Sequence, residues 1–373
     1  MRPANMLHLG IKELRSLLRD PTMMVLIVYA FTVSIYSAAT AMPETLHKAP
    51  IAIVDEDRSQ LSSRLVDAFY PPYFKTPALI TQKEMDARMD AGFDTFALNI
   101  PPGFQRDVLA GREPAIQLNI DATRMSQAFT GSGYIQSIVN SEVSAFLQGY
   151  RSNATPAVDL ALRARFNPQL NKAWFGGGME LISHITMLAI VLTGAALLRE
   201  REHGTVEHLL VMPVTPFEIM AAKVWSMALV VMIASICSLV LVVQGALGVP
   251  IEGSILLFLS GMALHLFATT SLGIFLGTIA RSMPQFGLLL MLVLLPLQIL
   301  SGSVTPRESM PEFVQIIMLA APDTHFVKLS QAILYRGAGF AVVWPQFISM
   351  ALIGSVLFAV SLARFRKTIG SMT

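Results

Sequence analysis

The chain has 373 residues, of which 53% are hydrophobic and only 14% charged, far below the roughly 25% charged residues of soluble domains. Mean hydropathy is +0.57, which excludes an ordinary soluble domain as the whole chain and points to a bilayer, where each spanning helix takes about 20 apolar residues. The formal net charge of +2 says little about partners, no nucleic acid is expected, and the single cysteine, Cys237, excludes a disulfide framework or a cysteine-based metal site.

Residues 4–19 read as a helix lying at the membrane surface. Leu7, Ile11, Leu14 and Leu18 share one face, and His8, Lys12, Arg15 and Arg19 line the other. Such a helix is either a plain anchor or a partner-contacting element. Asp20 then caps the next helix, with Pro21 in its first turn, where a missing N–H costs little. Residues 22–41 form an uncharged span. It ends in Ala39-Thr40-Ala41, which imitates a signal-peptidase site. Cleavage is not expected, because the apolar run is longer than a signal core and follows an organised helix.

Residues 42–173 are the one soluble-looking region. Short β-type runs at 49–54, 95–100 and 115–120 alternate with helical stretches. Asp57-Arg-Ser-Gln60 and Thr81-Gln-Lys-Glu84 resemble capping boxes that start helices to Phe69 and Ala91. Further helical stretches run from Pro102 to Ala110 and over 125–149, the latter weakened by Gly131 and Gly133. Alternating strands and helices predict a small α/β domain. Asp55, Glu56 and Asp57 form an acidic cluster, more simply read as a solvated turn than as a cation site. No catalytic constellation and no metal site stand out.

Five more apolar runs follow, at about 175–198, 224–247, 254–280, 284–301 and 341–363. Lys and Arg collect in short cytoplasmic loops. Arg2, Lys12, Arg15 and Arg19 precede the first span; Arg199, Arg201 and Lys223 lie between the second and third; Arg281, Arg364, Arg366 and Lys367 flank later ones. Both termini are therefore expected in the cytoplasm, with 42–173 and 302–340 outside.

The loop between the second and third spans reads as structured. Gly204 permits a sharp turn. Thr205 can cap a short helix to about Met212, with Glu207 near its positive end. Pro213 ends that helix, and Thr215-Pro-Phe-Glu218 is a capping box that launches the next. A stiff helix displaying Glu207 and His208 beside Leu209, Leu210 and Met212 suits a groove on another protein; a surface-lying connector is the alternative. Within the spans, the polar residues Glu180, His184, His265 and Gln298 are the candidates for a translocation path, or else are side chains satisfied by neighbouring helices. Pro284 and Pro296 bracket the fifth span.

The pattern Glu202, Gly204, Thr205, Glu207, Leu209, Leu210, Pro213, then Glu218, Ile219 and Lys223, resembles the signature of ABC-2 type transporter permeases. Lys12-Glu13-Leu14 with Arg19-Asp20-Pro21 is similar to that family's elbow helix, where Lys12, Glu13 and Arg15 fall. Asp55–Ser59, Ile100–Phe104 and Phe166-Asn-Pro168 resemble its outer domain, and Ser301-Gly302 through Pro311 its last outer loop. The resemblance covers the whole chain and is greatest to export permeases of the bacterial inner membrane. It implies an α-helical membrane protein of six transmembrane helices, type V exporter-like, with an α/β extracytoplasmic domain between the first two. The parts are an elbow helix (1–21), a first span (22–41), the periplasmic domain (42–173) and a membrane domain (174–373) with a coupling helix near 205–212.

The resemblance further implies a dimer with a second copy or a related permease, and an ABC ATP-binding subunit as partner. A periplasmic adaptor and drug-like or amphipathic substrates are also implied. No G-x-x-x-x-G-K-[ST] phosphate loop occurs, so this chain is not expected to be an enzyme. No cofactor is expected on it; ATP and magnesium belong to the partner. Two other classes remain. An ion-coupled secondary transporter needs buried acids at mid-membrane, and Glu180 alone, near an edge, is a poor candidate. A membrane sensor needs an output domain, which the short stretch after the last span is not expected to supply, so it would have to act solely through the loop helix.

Overall fold

A computed structural model describes residues 3–41, 48–121, 125–149, 172–202, 214–305 and 307–370. It divides into two compact units: one of residues 1–42 and 164–373, and one of residues 43–163.

The smaller unit is the α/β domain. Its strands β1 (Ile51–Asp55), β2 (Ala78–Leu79), β3 (Phe96–Ile100) and β4 (Gln117–Ile120) form one sheet in the order β2-β1-β3-β4. β1 pairs in parallel with β2 and β3, and β4 runs antiparallel to β3, with Phe96 opposite Ile120. β1 reads as a continuous apolar run because it is central and covered. The two-residue β2 is too short to leave an alternating pattern. Helices α2 (Gln60–Ala68), α3 (Gln82–Asp90), α4 (Phe104–Leu109) and α5 (Met125–Leu147) complete the unit. Phe69, Phe74 and Phe96 form its aromatic centre, Phe69 meeting Phe74 edge-on at 5.1 Å. Gly131 does not break α5: the Phe96 ring lies where a Cβ would stand.

One boundary moves. The cap of α2 is Ser59, in a reciprocal box with Ser62, rather than Asp57. Asp57 instead accepts the Gln105 amide at 3.0 Å, at the start of α4. Asp55 accepts the amides of Asp57 and Arg58 and the Ser62 hydroxyl. The acidic turn thus spends its carboxylates on backbone amides. Thr81 and Glu84 form the box that the sequence predicts for α3.

The larger unit carries α1 (Pro3–Leu18) and six helices long and apolar enough to span a membrane. Spans 1 to 6 are Pro21–Ala41, Ala173–Glu202, Pro216–Ala246, Ile255–Ile279, Met283–Leu300 and Phe340–Lys367. Span 2 is the central post, 83% of its most apolar stretch being buried, against 17% for span 5 and 22% for span 6. Spans 2 and 4 approach closely because both present glycine. A Cβ on Gly273 would meet the Ile190 carbonyl, and one on Gly277 the Gly194 carbonyl. Without water to drive helices together, such small-residue contacts supply the packing. The hydroxyls of Thr193, Thr269, Thr270 and Ser271 bond carbonyls of the preceding turn, which satisfies them inside an apolar bundle.

The segment between spans 5 and 6 is not a plain outer loop. Helix α6 (Glu312–Met318) leads into α7 (Pro322–Ser330), which continues through a π-helical turn, Gln331–Tyr335. Asp323, Phe326, Val327 and Leu329 of α7 are buried, and α7 packs against spans 2, 4, 5 and 6.

Candidate functional site

The stems of the 203–213 segment carry a dense set of charges. The segment itself, with Gly204, Thr205, Glu207, Leu209, Leu210 and Pro213, lies outside the described residues. Its entrance is the end of span 2 and its exit the start of span 3, where Thr215 and Glu218 form a reciprocal capping box. Span 3 therefore begins at Pro216 and takes Lys223 inside it, although the apolar run starts only at 224.

Lys223 is 1% exposed. Its ammonium donates to Glu13 at 3.0 Å and meets Glu200 of span 2 at 2.8 Å. Lys12 reaches Glu200 at 2.5 Å and Glu13 at 3.6 Å. Two acids and two bases thus alternate, and a buried charge is tolerable only when so compensated. For Lys12, burial works to lower the pKa, but the hydrogen bond and charge of Glu200, with Glu13, outweigh it, so the pKa is raised.

The elbow helix docks by a third face that the two-faced sequence reading does not separate. Gly10, Glu13 and Leu17 are buried, while Leu7 and Leu18 remain exposed. The Trp225 ring lies where a Cβ of Gly10 would stand, and its indole N–H donates to the Met6 carbonyl at 3.2 Å. Arg15 sits in the last turn, favourably placed against the negative helix end.

The rest of the stem is tied as well. Arg199 pairs at 2.7 Å with Asp20, which also caps span 1. Arg201 donates to the carbonyls of Gly277 and Ala280 at the end of span 4. Glu202 accepts the Met283 amide at the start of span 5, where a carboxylate suits the positive end. Any displacement of the 203–213 segment would therefore be felt by α1 and spans 1, 3, 4 and 5.

The polar residues inside the spans fall into separate groups. Glu180 and His184 share a face, 3.4 Å apart, and His184 hydrogen-bonds Ser34 at 2.9 Å in a π-helical turn of span 1. His265 is fully buried and has different partners: Thr186 at 2.9 Å and the ring of Phe326, stacked at 4.1 Å. The Thr186 hydroxyl donates to Asp323, so it accepts from His265 Nε2–H. Asp323 lies 3.8 Å from His265. Gln298 is half-buried, and its backbone carbonyl accepts from Ser303.

Asp323, buried among the spans, adds a second acid to Glu180, which the sequence reading took as the only one within the spans. The sequence placed Asp323 in an outer loop because no long apolar run surrounds it. A local signal existed: Pro322 at a first helical position, followed by the apolar residues Phe326, Val327 and Leu329.

Six helices long and apolar enough to span a membrane, with α1 tied to the flanks of the 203–213 segment, fit the membrane transporter permease class that the family match gives. The ABC-2 family transporter protein model matches residues 22–363, and the chain belongs to that family. It is 68% identical over 368 residues to the inner membrane transport permease YhhJ of Escherichia coli K12, covering 99% of this chain and 98% of that protein. Two probable multidrug ABC transporter permeases of the same organism, YbhR and YbhS, are each 26% identical, over 96% and 95% of this chain and 97% and 92% of their own lengths.

Proposed function

We propose that this chain is the membrane-spanning half of an ATP-driven exporter of the bacterial inner membrane, working with a separate ATP-binding subunit. The observation that carries this reading is the tie between the two stems of the 203–213 segment and the elbow helix, through Glu200, Lys223, Glu13 and Lys12. An element pushed by a soluble partner needs such anchoring, because a floppy stem would absorb the motion. The segment 205–212 is the docking helix in this reading, and the apolar faces of spans 5 and 6 are available for a second permease copy. Substrates are drug-like or amphipathic, a reading supported by the similarity to the probable multidrug permeases YbhR and YbhS.

Two measurements test this. Glu207→Lys reverses a charge on the docking helix, so it should weaken co-purification of the ATPase subunit while membrane insertion stays normal. Undiminished co-purification and unchanged substrate-stimulated hydrolysis would sink the docking role. Single cysteines at Ser152 and His208, in a Cys237→Ser background, should label from opposite sides with an impermeant reagent. Labelling from one side would overturn the orientation, with both termini and the docking helix in the cytoplasm.

One observation supports a second reading. A buried acid next to a histidine, as Asp323 is to His265, belongs to the chemistry of ion-coupled transport. That reading requires transport by the chain without ATP, abolished by Asp323→Asn. Transport that stops without the ATPase subunit decides for the exporter.

A further inference from the structure

At the end of the membrane unit opposite the elbow helix, two adjoining cavities of about 390 Å³ each share Phe175, Glu308, Gln331 and Arg336. Together they lie within the size range of small-molecule sites. One wall is aromatic: Trp174 and Phe175 at the start of span 2, and Tyr335 after α7. That wall is fixed, since the Tyr335 hydroxyl donates to the Trp174 carbonyl at 3.1 Å and its ring meets Phe175 at 5.7 Å. The polar wall carries three cations, Arg307, Lys328 and Arg336, against one carboxylate, Glu308.

The protein's own carboxylates do not neutralise these cations. Among the described residues none of the three forms an ion pair, in contrast to Lys12, Arg199 and Lys223 at the other end. Arg307 donates from Nη2 to the Gln315 carbonyl, and its Nε is shielded from solvent with no hydrogen-bond partner among the described residues. Lys328 and Arg336 are exposed, so their charge is free to act.

We infer that this cavity binds an amphipathic anion, whose phosphate, sulfonate or carboxylate head meets Arg307, Lys328 and Arg336 while its apolar body lies on Trp174, Phe175 and Tyr335. Guanidinium groups pair with such oxyanions through charge-assisted hydrogen bonds. The same chemistry fits an acidic phospholipid or a soluble aryl anion. The inference does not rest on the exporter reading, because the site belongs to the permease chain alone.

The test uses the purified full-length chain in neutral maltoside detergent. Native mass spectrometry compares bound phosphatidylglycerol with phosphatidylcholine of identical acyl chains. Calorimetry measures an arylamino-naphthalene sulfonate against dodecyltrimethylammonium. Preference for phosphatidylglycerol alone assigns a lipid site, for the sulfonate alone a solute site, and for both a shared one; each supports the inference. The double variant Lys328→Gln/Arg336→Gln should weaken anion binding at least tenfold, and raising salt should weaken wild-type binding. The control Arg366→Gln/Lys367→Gln, at the other end, should leave it unchanged. If the double variant does not fold, Lys328→Gln alone should weaken binding severalfold. Equal binding of the cationic probe, or full affinity in the cavity variants, overturns the inference.

Discussion

The two ends of the membrane unit treat charge in opposite ways. At the elbow end, Lys223 and Glu13 are buried and joined to Glu200 and Lys12. At the far end, Lys328 and Arg336 stand exposed beside a cavity with no ion pair among the described residues. Span 2 runs between them, about 45 Å at a helical rise of ~1.5 Å per residue. Paired, buried charge commits side chains to one geometry, as a mechanical joint requires. Unpaired, exposed charge remains available to something that arrives. On the proposed reading, the first is a part that transmits force and the second one that meets a ligand.

The largest predicted effect is on the joint. Lys223→Met removes the buried ammonium that joins Glu13 to Glu200. Breaking one side of such a buried pair costs about 3–5 kcal/mol, so thermal unfolding in detergent should shift down by many degrees, and adding Glu13→Gln should recover part of the loss. An unchanged midpoint in the single variant would mean that the elbow end is no better fixed than the far end.

Next comes the intramembrane cluster. Thr186→Val removes the hydroxyl bonded to both Asp323 and His265, and stranding buried polar partners costs about 1–3 kcal/mol. Thermal unfolding again reads it; no loss would show that water or another group replaces the hydroxyl.

Gly10→Leu tests the docking of α1, since its side chain would enter the Trp225 ring. Overpacking of this kind costs about 1–3 kcal/mol. Early proteolysis between α1 and span 1 is the expected signature, and wild-type resistance would show that the ion pairs alone hold the elbow.

The smallest effects belong to half-exposed charges. Lys12→Gln should cost about 1 kcal/mol or less, because solvent screens a half-exposed ion pair. The raised pKa of Lys12 sets the sign: its contribution is full below the ordinary lysine pKa and disappears as pH rises through the folded value. The stability gap between wild type and Lys12→Gln should therefore be flat near neutrality and close only in strong alkali.

In the α/β unit, burial works to raise the Asp57 pKa. The Ser59 hydrogen bond and the amides of Gln105, Gly103 and Phe104 prevail and lower it. Asp57→Ala should cost about 1 kcal/mol, as for a lost helix cap. This contribution is present above the ordinary aspartate pKa and lost as pH falls through the folded value. A gap between the two proteins that widens on acidification would contradict that assignment.

What local or solvent physics writes into a contiguous stretch is legible in the chain directly. Six spans follow from lipid, which accepts only backbones satisfied within their own helix and apolar over about 20 residues. The boxes Thr81–Glu84 and Thr215–Glu218 follow because both halves lie within one turn. Tertiary structure alone decided which distant groups meet. Glu13 finds Lys223, 210 positions away, because Gly10 lets α1 close on Trp225. Asp323, which looks like a loop residue, is buried against Thr186, 137 positions away, because α7 packs its apolar face among the spans. Glu13 and Lys223 stand in recognisable motifs, yet neither motif says that they meet, since a buried acid is stabilised by whatever partner the fold brings to it.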